Sequence, residues 1–302
     1  EGTLANNDEV LILDGHKDEP TIEGPKIYKR NNFYYIFAPA GGVATGWQTV
    51  LRSKNIYGPY EKRKVLDQGK TEINGPHQGA WVQTKNGEDW FLHFQDKDVY
   101  GRVVHLQPMK WSNDWPVIGI DEDGDGIGQP VITYKKPNIG NKTVALISPP
   151  DSDEFNEPKL GLQWQWHANP QINWGFPSAL GYFTLNCIPK PKGAVNLIDI
   201  PNLLLQKFPD DNFIATAKLQ FDSHSDGEEA GLVIMGLDYS YLKIKKSNGS
   251  IFFSQMICTN ANKKEAEKET EKMELKNSLI YLQVKVVNGG ICTLSYWLDG
   301  TN

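Results

Sequence analysis

The sequence predicts an all-β protein in which part of a β-propeller is followed by a β-sandwich. Three observations support this prediction. The 302 residues include 9 Trp, 12 Tyr and 12 Phe, which suit pleated strands, and 28 Gly and 18 Pro, which suit tight turns. Short aromatic and β-branched runs recur between turns, whereas no long stretch has the i, i+3, i+4, i+7 apolar spacing of a helix. One short motif also returns 51 positions along the chain, as a repeated structural unit would.

The bulk composition limits the classes of protein that the chain can represent. A length of 302 residues favours about two domains, and 39% hydrophobic with 23% charged residues is typical of a globular chain. A net charge of -6 without a basic stripe argues against nucleic acid as a partner, and no apolar run reaches the ~20 residues of a membrane span. The three cysteines lack metal-binding spacing, so buried free thiols are favoured over a disulfide.

Residues 1–135 are predicted to form short strands, and they contain the repeat. Glu23-Gly24-Pro25 precedes the aromatic run Phe33–Phe37, and Asn74–His77 precedes the aromatic run Trp90–Phe94. Units of ~40–50 residues with several short strands are typical of propeller blades. Because two blades cannot close a propeller, we expect further blades upstream in a longer gene product. We also expect Glu23 and the Asn74–His77 loop to face each other across the propeller axis.

The acidic segment Asp121–Gly126 resembles the start of a calcium-binding loop, with carboxylates at alternating positions. The EF-hand pattern requires Glu at its twelfth position, where this chain has Ile132. We therefore interpret the segment as a solvated acidic turn rather than a metal site.

Residues 136–158 are predicted to be a linker, because they are rich in Lys, Pro, Asn, Asp and Ser. Residues 159–302 are predicted to be a β-sandwich that is incomplete at its C-terminus, since several strand-like runs occur there. The first of these, Leu160–Trp166, alternates apolar and polar residues. The later runs are 213–221, 230–235, 239–245, 280–287 and 291–298.

Two segments of this second region need separate interpretation. Lys263–Lys276 is densely charged with both signs, so a charged helix and a solvated hairpin both fit its composition. The hairpin is favoured because Met273 and Leu275 alternate with polar neighbours. Trp297–Asn302 is predicted to be a hairpin turn without its return strand.

Four ordered segments resemble the motifs of glycoside hydrolase family 43. The first segment is Glu23–Lys29 together with the run Phe33–Phe37 and the pair Gly41-Gly42. The other three segments are Leu51–Glu61, Asn74–Gly79 and Gly101–Pro116. In the second region, Leu160–Pro170 and Ala230–Gly236 resemble the concanavalin-like sandwich of the family's xylosidase and arabinofuranosidase-type members. The resemblance covers almost the whole chain. It implies the C-terminal part of a five-bladed β-propeller followed by a jelly-roll β-sandwich.

The resemblance also implies roles for individual residues in an inverting glycosidase. Glu23 matches the general acid, which protonates the departing glycosidic oxygen and needs a raised pKa to stay protonated near neutral pH. His77 matches a residue beside a hydrated cation, often calcium, on the propeller axis. Arg102 matches an arginine whose multi-donor fork contacts sugar hydroxyls. Trp47 and Gln48 are candidates for lining the pocket. No cofactor is expected for the chemistry itself, and calcium at the axis would be structural.

The two aspartates that the family uses beside its general acid have no assigned counterpart here. The family places both well upstream of the Glu-Gly-Pro motif, and only 22 residues precede Glu23. Asp8, Asp14 and Asp18 lie in a polar lead-in without the identifying motif, so we assign neither role to them. We therefore expect the base outside this chain and expect the chain alone to be inactive. Val43 replaces a small polar residue of some members, which leaves the substrate choice open.

Two functional hypotheses follow from this pattern. The first is an inverting, exo-acting glycosidase that releases xylose or arabinose from plant cell-wall oligosaccharides, and the second is a non-catalytic carbohydrate-binding protein. The two hypotheses differ in the upstream aspartates, which a glycosidase requires and a non-catalytic binding protein does not. A purely structural domain is disfavoured because Glu23, His77 and Arg102 occur together. The expected partners are xylo- or arabino-oligosaccharides and the missing N-terminal propeller segment. No signal peptide begins the chain, and a secreted or periplasmic location is favoured over a cytoplasmic one.

Overall fold

A computed structural model of the chain describes residues 9–140, 144–178 and 180–298. Among these residues strands predominate, and the helical segments are one α-helical turn and three 3₁₀ turns. The chain divides into two compact units, Glu1–Ala145 and Leu146–Asn302, and the division falls inside segment 136–158. The prediction of an all-β chain is confirmed. In the described part of the chain, no helix is long and apolar enough to span a membrane.

The first unit contains two four-stranded antiparallel sheets, and in each sheet the strands are neighbours in chain order. Sequential meanders of this kind are the blades of a propeller, as the repeat predicted. The first sheet consists of β1 (Lys26–Arg30), β2 (Phe33–Ala40), β3 (Trp47–Ser53) and β4 (Glu61–Leu66), with helix α1 (Gly42–Thr45) between β2 and β3. The second consists of β5 (His77–Gln83), β6 (Asp89–Asp96), β7 (Arg102–Ser112) and β8 (Trp115–Ile118), with a 3₁₀ turn (Asp98–Tyr100) between β6 and β7.

The tight hairpins of both sheets follow from the residues at their tips. Two-residue hairpin turns need positive φ angles, which Asn and Asp tolerate better than other residues with a side chain. Asn31 begins the β1–β2 turn with a φ of 52°. Asn113 and Asp114 form the β7–β8 turn with φ values of 51° and 57°.

A single apolar cluster forms the core of the first unit. Alternation along β2 directs Tyr35 and Phe37 to one face, where both are fully buried. Phe37 stacks on Phe91 of β6 with ring centroids 6.0 Å apart, so this aromatic pair joins the two sheets. The buried members of the cluster are Tyr35, Phe37, Val50, Val65, Leu66, Phe91, Met109, Trp115 and Ile118.

Arg52 of β3 joins the same two sheets by polar contacts. Its Nη1 donates to the carbonyls of Asn113 and Asp114, at 3.1 and 3.2 Å. Its Nη2 donates to Glu61 at 2.7 Å, and its guanidinium lies 4.3 Å from the ring of Trp115. Only 13% of the Arg52 side chain is exposed, so its guanidinium is largely shielded from water, although its partner Glu61 is 65% exposed.

Arg52→Met is therefore expected to lower the free energy of unfolding of the first unit by about 1.5 kcal/mol, because it removes charged donors from two carbonyls of the β7–β8 turn. The matched control is Arg63→Met, since Arg63 also lies over Trp115, at 4.6 Å, and has no hydrogen bond or ion pair with the described residues. The control is expected to lose about 0.5 kcal/mol. Urea denaturation measures both values, and equal losses would contradict the carbonyl contribution.

The second unit is built on two antiparallel sheets. The strands are β9 (Gln165–Trp166), β10 (Gly175–Pro177), β11 (Phe183–Leu185), β12 (Leu204–Leu205), β13 (Phe213–Gln220), β14 (Glu229–Ile234), β15 (Tyr239–Ser247), β16 (Ser250–Cys258), β17 (Lys268–Leu275), β18 (Leu279–Val287) and β19 (Ile291–Trp297). One sheet has the order β14–β15–β16–β17 and the other β13–β18–β19, and two short two-stranded pairs, β9 with β12 and β10 with β11, precede them in the chain. Two 3₁₀ turns are Leu197–Asp199 and Ala261–Lys263.

The core of the second unit confirms the sandwich-like strand predictions. The buried cluster takes residues from both sheets, including Leu242 and Ile244 of β15 and Ile280 and Leu282 of β18. In the charged segment 263–276, Lys268–Leu275 form β17, which pairs antiparallel with β16. The segment is therefore a strand and not a helix, but it supplies only one strand of a hairpin, whose other strand is β16.

Two predictions for the second unit are wrong. Only Gln165–Trp166 of the segment 160–166 is a strand. The amide of Trp164 donates to the carbonyl of Gly161, and its indole donates to Asp153, so this part of the chain turns. All three cysteines are free as predicted, but Cys187 and Cys292 are exposed and only Cys258 is buried. The predicted terminal hairpin turn extends past residue 298, outside the described residues.

Candidate active site

The antiparallel order of the strands places the predicted site residues at corresponding edges of the two sheets. In the first sheet, the start of β1, the end of β2 and the start of β3 lie at the same edge. Glu23, which shortly precedes β1, and Trp47, the first residue of β3, therefore lie at this edge. In the second sheet, β5 and β7 both begin at one edge, with His77 as the first residue of β5 and Arg102 as the first residue of β7. A side-chain hydrogen bond between Glu23 and His77 brings the two edges together.

The Glu23–His77 contact is the centre of the site. Nε2 of His77 lies 2.9 Å from Oε1 of Glu23, and the Glu23 amide donates to the carbonyl of Pro39. The His77 side chain is fully buried, whereas 54% of the Glu23 side chain is exposed. Because a carboxylate accepts, Nε2 carries the hydrogen in this contact. Nδ1 of His77 is buried and has no hydrogen-bond partner in the described part of the chain, and Gly46 leaves room beside it.

The neighbours of Glu23 favour its ionised form. A hydrogen bond from His77 lowers the pKa of Glu23, and a hydrogen bond from the Gln78 side chain and the charge of Arg102 act in the same direction. The expectation of a raised pKa is therefore wrong for this chain. The physical reason is that no carboxylate contributes to the surroundings of Glu23 among the described residues, so nothing but partial desolvation opposes ionisation.

The aspartates of the lead-in do not supply that missing charge. Asp14 is an exposed residue bound to His16, which lowers the pKa of Asp14. Asp18 lies 3.9 Å from the Lys62 ammonium. Asp8 is outside the described residues. Neither described aspartate has a recorded contact with Glu23.

Arg102 is placed beside the site by an aromatic contact. Its guanidinium lies 4.7 Å from the ring centroid of Phe94, and the same ring lies 5.8 Å from the imidazole of His77. Arg102 itself is exposed at the start of β7, so its donors are available to a ligand.

Trp47 is held at the edge of the first sheet by a residue that the sequence analysis missed. Its indole Nε1 donates to Oε2 of Glu19 at 2.9 Å and lies 3.0 Å from Oγ1 of Thr49. Glu19 is buried and also pairs with Lys62 at 3.0 Å. The ring of Trp47 packs against Gly41, where a Cβ would lie only 2.4 Å from the ring.

The Gln48 side chain is fully buried in this chain, and its Nε2 donates to the carbonyl of Thr49 at 3.0 Å. Trp47 beside it is half-buried, and the pairing of β3 with β4 is irregular between Gln48 and Thr49. A role for Gln48 in lining the pocket stays a prediction.

The acidic segment 121–126 forms a compact turn. Carboxylate oxygens of Asp121, Asp123 and Asp125 lie within 4.8 Å of one another, and no other such group of three metal-ligand side chains occurs in the described part of the chain. The amides of Gly124 and Gly126 donate to Asp121 at 2.8 and 3.0 Å. The interpretation as a turn accounts for these contacts.

His93 of β6 is a buried imidazole behind the site. Its Nδ1 donates to the carbonyl of Phe94 at 3.1 Å, and its ring stacks on His105 with centroids 5.3 Å apart. Burial lowers the pKa of His93 to about 4, and the nearby His105 adds to this. The folded chain therefore holds His93 neutral at pH values where an unfolded chain would protonate it.

This pKa predicts a loss of stability in mild acid. Below pH 6.5 the unfolded state binds more protons than the folded state, so the free energy of unfolding falls as the pH drops toward 4, by about 3 kcal/mol in total. Urea denaturation at several pH values measures the fall. His93→Asn should flatten the curve in this window, whereas His224→Asn at an exposed position should not. Identical curves for the His93 variant and the wild type would contradict the assignment.

Comparison with known proteins identifies both units. Residues 1–116 match the family model described as Glycosyl hydrolases family 43. Residues 152–302 match the model described as Beta xylosidase C-terminal Concanavalin A-like domain. The second match alone covers half of the chain.

Individual relatives extend this finding. A protein of Xylanibacter ruminicola assigned to the beta-xylosidases is 48% identical over 233 residues, which are 76% of this chain and 43% of that protein. The non-reducing end alpha-L-arabinofuranosidase BoGH43B of Bacteroides ovatus is 31% identical over 248 residues, 75% of this chain and 44% of that protein. This chain thus spans less than half the length of these relatives. The structure of the GH43 protein BlXynB from Bacillus licheniformis shares the fold, with a TM-score of 0.78 and 24% identity over 97% of this chain and 57% of that chain.

Proposed function

The chain belongs to glycosyl hydrolases family 43, and on this premise we propose that it is the acid-bearing part of an inverting exo-glycosidase. The proposed enzyme releases xylose or arabinose from plant cell-wall oligosaccharides. The single observation that carries this proposal is the 2.9 Å hydrogen bond between Glu23 and His77, which joins two sheet edges around an exposed carboxylate.

Glu23 is proposed to act as the general acid. Its proton passes to the glycosidic oxygen as the bond from that oxygen to the anomeric carbon breaks, which leaves Glu23 ionised. The hydrogen bond from His77 stabilises this ionised product, consistent with the lowered pKa of Glu23. To act as an acid, Glu23 must be protonated before the reaction, so its pKa must be higher than in this chain. A second carboxylate near the bound substrate would raise the pKa of Glu23 by charge repulsion.

The base is proposed to be an aspartate outside this chain. It would remove a proton from a water molecule whose oxygen bonds to the anomeric carbon on the face opposite the leaving group. Attack from the opposite face inverts the configuration at that carbon. The remaining blades that we propose for the full-length protein would supply both this aspartate and the one that tunes Glu23.

Three further side chains are proposed to support the reaction. Arg102 offers exposed guanidinium donors to sugar hydroxyls beside Glu23. Trp47 offers an indole face, fixed by Glu19, to the apolar face of a sugar ring. The buried Nδ1 of His77, which has no partner among the described residues, could accept a hydrogen bond from a water molecule of a hydrated calcium ion. His77 would then contact the ion through water rather than bind it directly. That ion would shape the site, and no chemical step depends on it.

The substrate class rests on the names of the relatives. One is assigned to the beta-xylosidases and another is an alpha-L-arabinofuranosidase, both of which act on pentose units. We therefore propose oligosaccharides with terminal xylose or arabinose as substrates and partners.

Hydrolysis of an aryl β-xyloside and an aryl α-L-arabinofuranoside tests the proposal, with this chain and the full-length gene product assayed side by side. We expect the full-length protein to hydrolyse one of the two and this chain to be inactive, since its water nucleophile has no base. A full-length protein that is inactive on both, yet binds xylo- or arabino-oligosaccharides, would establish the carbohydrate-binding hypothesis instead.

A further inference from the structure

The second unit contains a cleft on the face of sheet β14–β17 that points away from its core. Leu242 and Ile244 of β15 belong to the buried cluster, so alternation turns Lys243 and Lys245 to the opposite face. Together with Ser254 of β16, these two lysines line a cavity of about 320 Å³, which we call the β15–β17 cleft. Cavities of about 300–1,000 Å³ commonly hold small molecules, so this volume suits a small ligand.

Lys243 is a buried cation of the cleft whose hydrogen-bond donors are unused. Only 7% of Lys243 is exposed, and a buried ammonium is costly unless its charge is paired and its donors are satisfied. Its Nζ lies 3.5 Å from Oε2 of Glu229 and 5.9 Å from the ring centroid of Tyr241. Beyond this ion pair, no hydrogen bond joins the ammonium to the described residues. Because an ammonium has three donors, an acceptor within the cleft would complete its surroundings.

A bulge in β17 turns a carboxylate toward the cleft. Ser254 of β16 opposes Lys272 of β17. Two residues further along β16, Met256 opposes Glu269 instead of Thr270, because the register shifts there. Glu269 therefore lies on the face of the cleft, where Ser254 donates to its Oε1 at 2.6 Å. A regular strand would place a neutral threonine at this position.

Glu267 is held at the cleft by two tyrosine hydroxyls. Tyr239 donates to its Oε1 at 2.6 Å, and Tyr241 donates to its Oε2 at 3.0 Å. Burial raises the pKa of both tyrosines and the nearby Glu267 carboxylate adds to this, so both hydroxyls stay protonated and remain donors. A carboxylate accepts about four hydrogen bonds, so each oxygen of Glu267 can accept a further one from a ligand.

The charges of the cleft favour a neutral ligand. The three ammonium and three carboxylate groups at or beside it are Lys243, Lys245, Lys272, Glu229, Glu267 and Glu269. Equal numbers of the two charges attract neither anions nor cations strongly. Unused N–H donors beside carboxylate acceptors instead suit hydroxyl groups, because each hydroxyl both donates and accepts.

From this geometry we propose that the β15–β17 cleft binds a neutral sugar unit of an oligosaccharide. Lys243 donates to a sugar hydroxyl, while Glu267 and Glu269 accept from others. The Phe252 ring, over which the Lys272 ammonium lies at 4.6 Å, adds apolar surface for the C–H groups of the sugar. The site belongs to the second unit, and neither the site nor its test depends on the proposed hydrolysis.

Titration of this chain with xylotriose and with cellotriose, followed by ¹H–¹⁵N NMR, tests the proposal. Both probes are neutral trisaccharides, and they differ in the hydroxymethyl groups that only cellotriose carries. We expect saturable shifts in amides of β15, β16 and β17 with at least one of them. Shifts at Glu23, His77 and Arg102 report separately on the candidate active site, so binding there is not mistaken for binding at the cleft.

Lys243→Met removes the ammonium and keeps the length of the side chain. We expect it to weaken trisaccharide binding at the cleft about tenfold, because a hydrogen bond from a charged donor is lost. The matched control is Lys285→Met, at an exposed position of β18, which should leave the Kd unchanged. If Lys243→Met does not fold, Glu269→Gln at an exposed position is the second variant. It should weaken binding about fivefold, since an amide oxygen is a weaker acceptor than a carboxylate.

Glucuronic acid and glucose distinguish a site for neutral sugars from a site for anions. We expect glucuronic acid to bind the cleft no more tightly than glucose. Tighter binding of glucuronic acid at the same amides would overturn the assignment to neutral sugars. The absence of saturable shifts in β15–β17 with both trisaccharides would overturn the site itself, and so would a Kd that the folded Lys243 or Glu269 variant leaves unchanged.

Discussion

Glu23→Gln in the full-length protein is expected to lower kcat on poorly activated aryl glycosides by about a thousandfold. Glutamine keeps the shape of Glu23 and its contact with His77, but it has no acidic proton for the glycosidic oxygen. General acid catalysis contributes a factor of about 10²–10⁴, and a poor leaving group depends on all of it. Steady-state kinetics on a series of aryl glycosides with different leaving groups measures the loss.

The leaving group separates this role from a general loss of structure. A dinitrophenol leaving group departs without protonation, so Glu23→Gln should keep most of its activity on that substrate. The matched control is Glu122→Gln, at an exposed position of the acidic turn, which should retain full activity on all substrates. Equal losses on strongly and poorly activated substrates would remove Glu23 from the role of acid.

Phe91→Ala is expected to cause the largest loss of stability, about 4 kcal/mol in the free energy of unfolding of the first unit. Phe91 is fully buried, stacks on Phe37 across the two sheets and fills the space over Gly79. Removal of a buried phenylalanine ring costs about 3–5 kcal/mol through lost burial and the cavity that remains. Hydrogen exchange of the β2 and β6 amides under increasing urea reports on the first unit separately.

The matched control for Phe91→Ala is Leu92→Ala on the opposite face of β6, where Leu92 is 37% exposed. A loss of about 1 kcal/mol is expected there. Similar losses for the two variants would contradict the role of Phe91 as the link between the sheets.

The local sequence pattern was sufficient for most strands and for the centre of the site. Aromatic and β-branched runs predicted β2 and β6, because such runs flanked by turn residues are typical of strands. The repeated Gly-Pro motifs predicted that Glu23 and His77 would meet, since equivalent positions of successive blades approach the same axis. Their 2.9 Å contact agrees with that inference.

The features that were missed depend on contacts between distant segments. Glu19 carries no local signal, and its burial becomes evident only when Trp47, Thr49 and Lys62 surround its carboxylate. The pKa of Glu23 depends on which charges share its surroundings.

The stereochemistry of hydrolysis tests the central claim most directly. Proton NMR during the first turnovers of the full-length protein shows which anomer of the released pentose forms before mutarotation equilibrates the two. The account predicts that the first anomer has the configuration opposite to that of the substrate, because Glu23 gives its proton on one face and a water molecule attacks from the other. A first anomer with the substrate's own configuration would mean that a carboxylate attacks the sugar directly, and it would contradict the inverting mechanism.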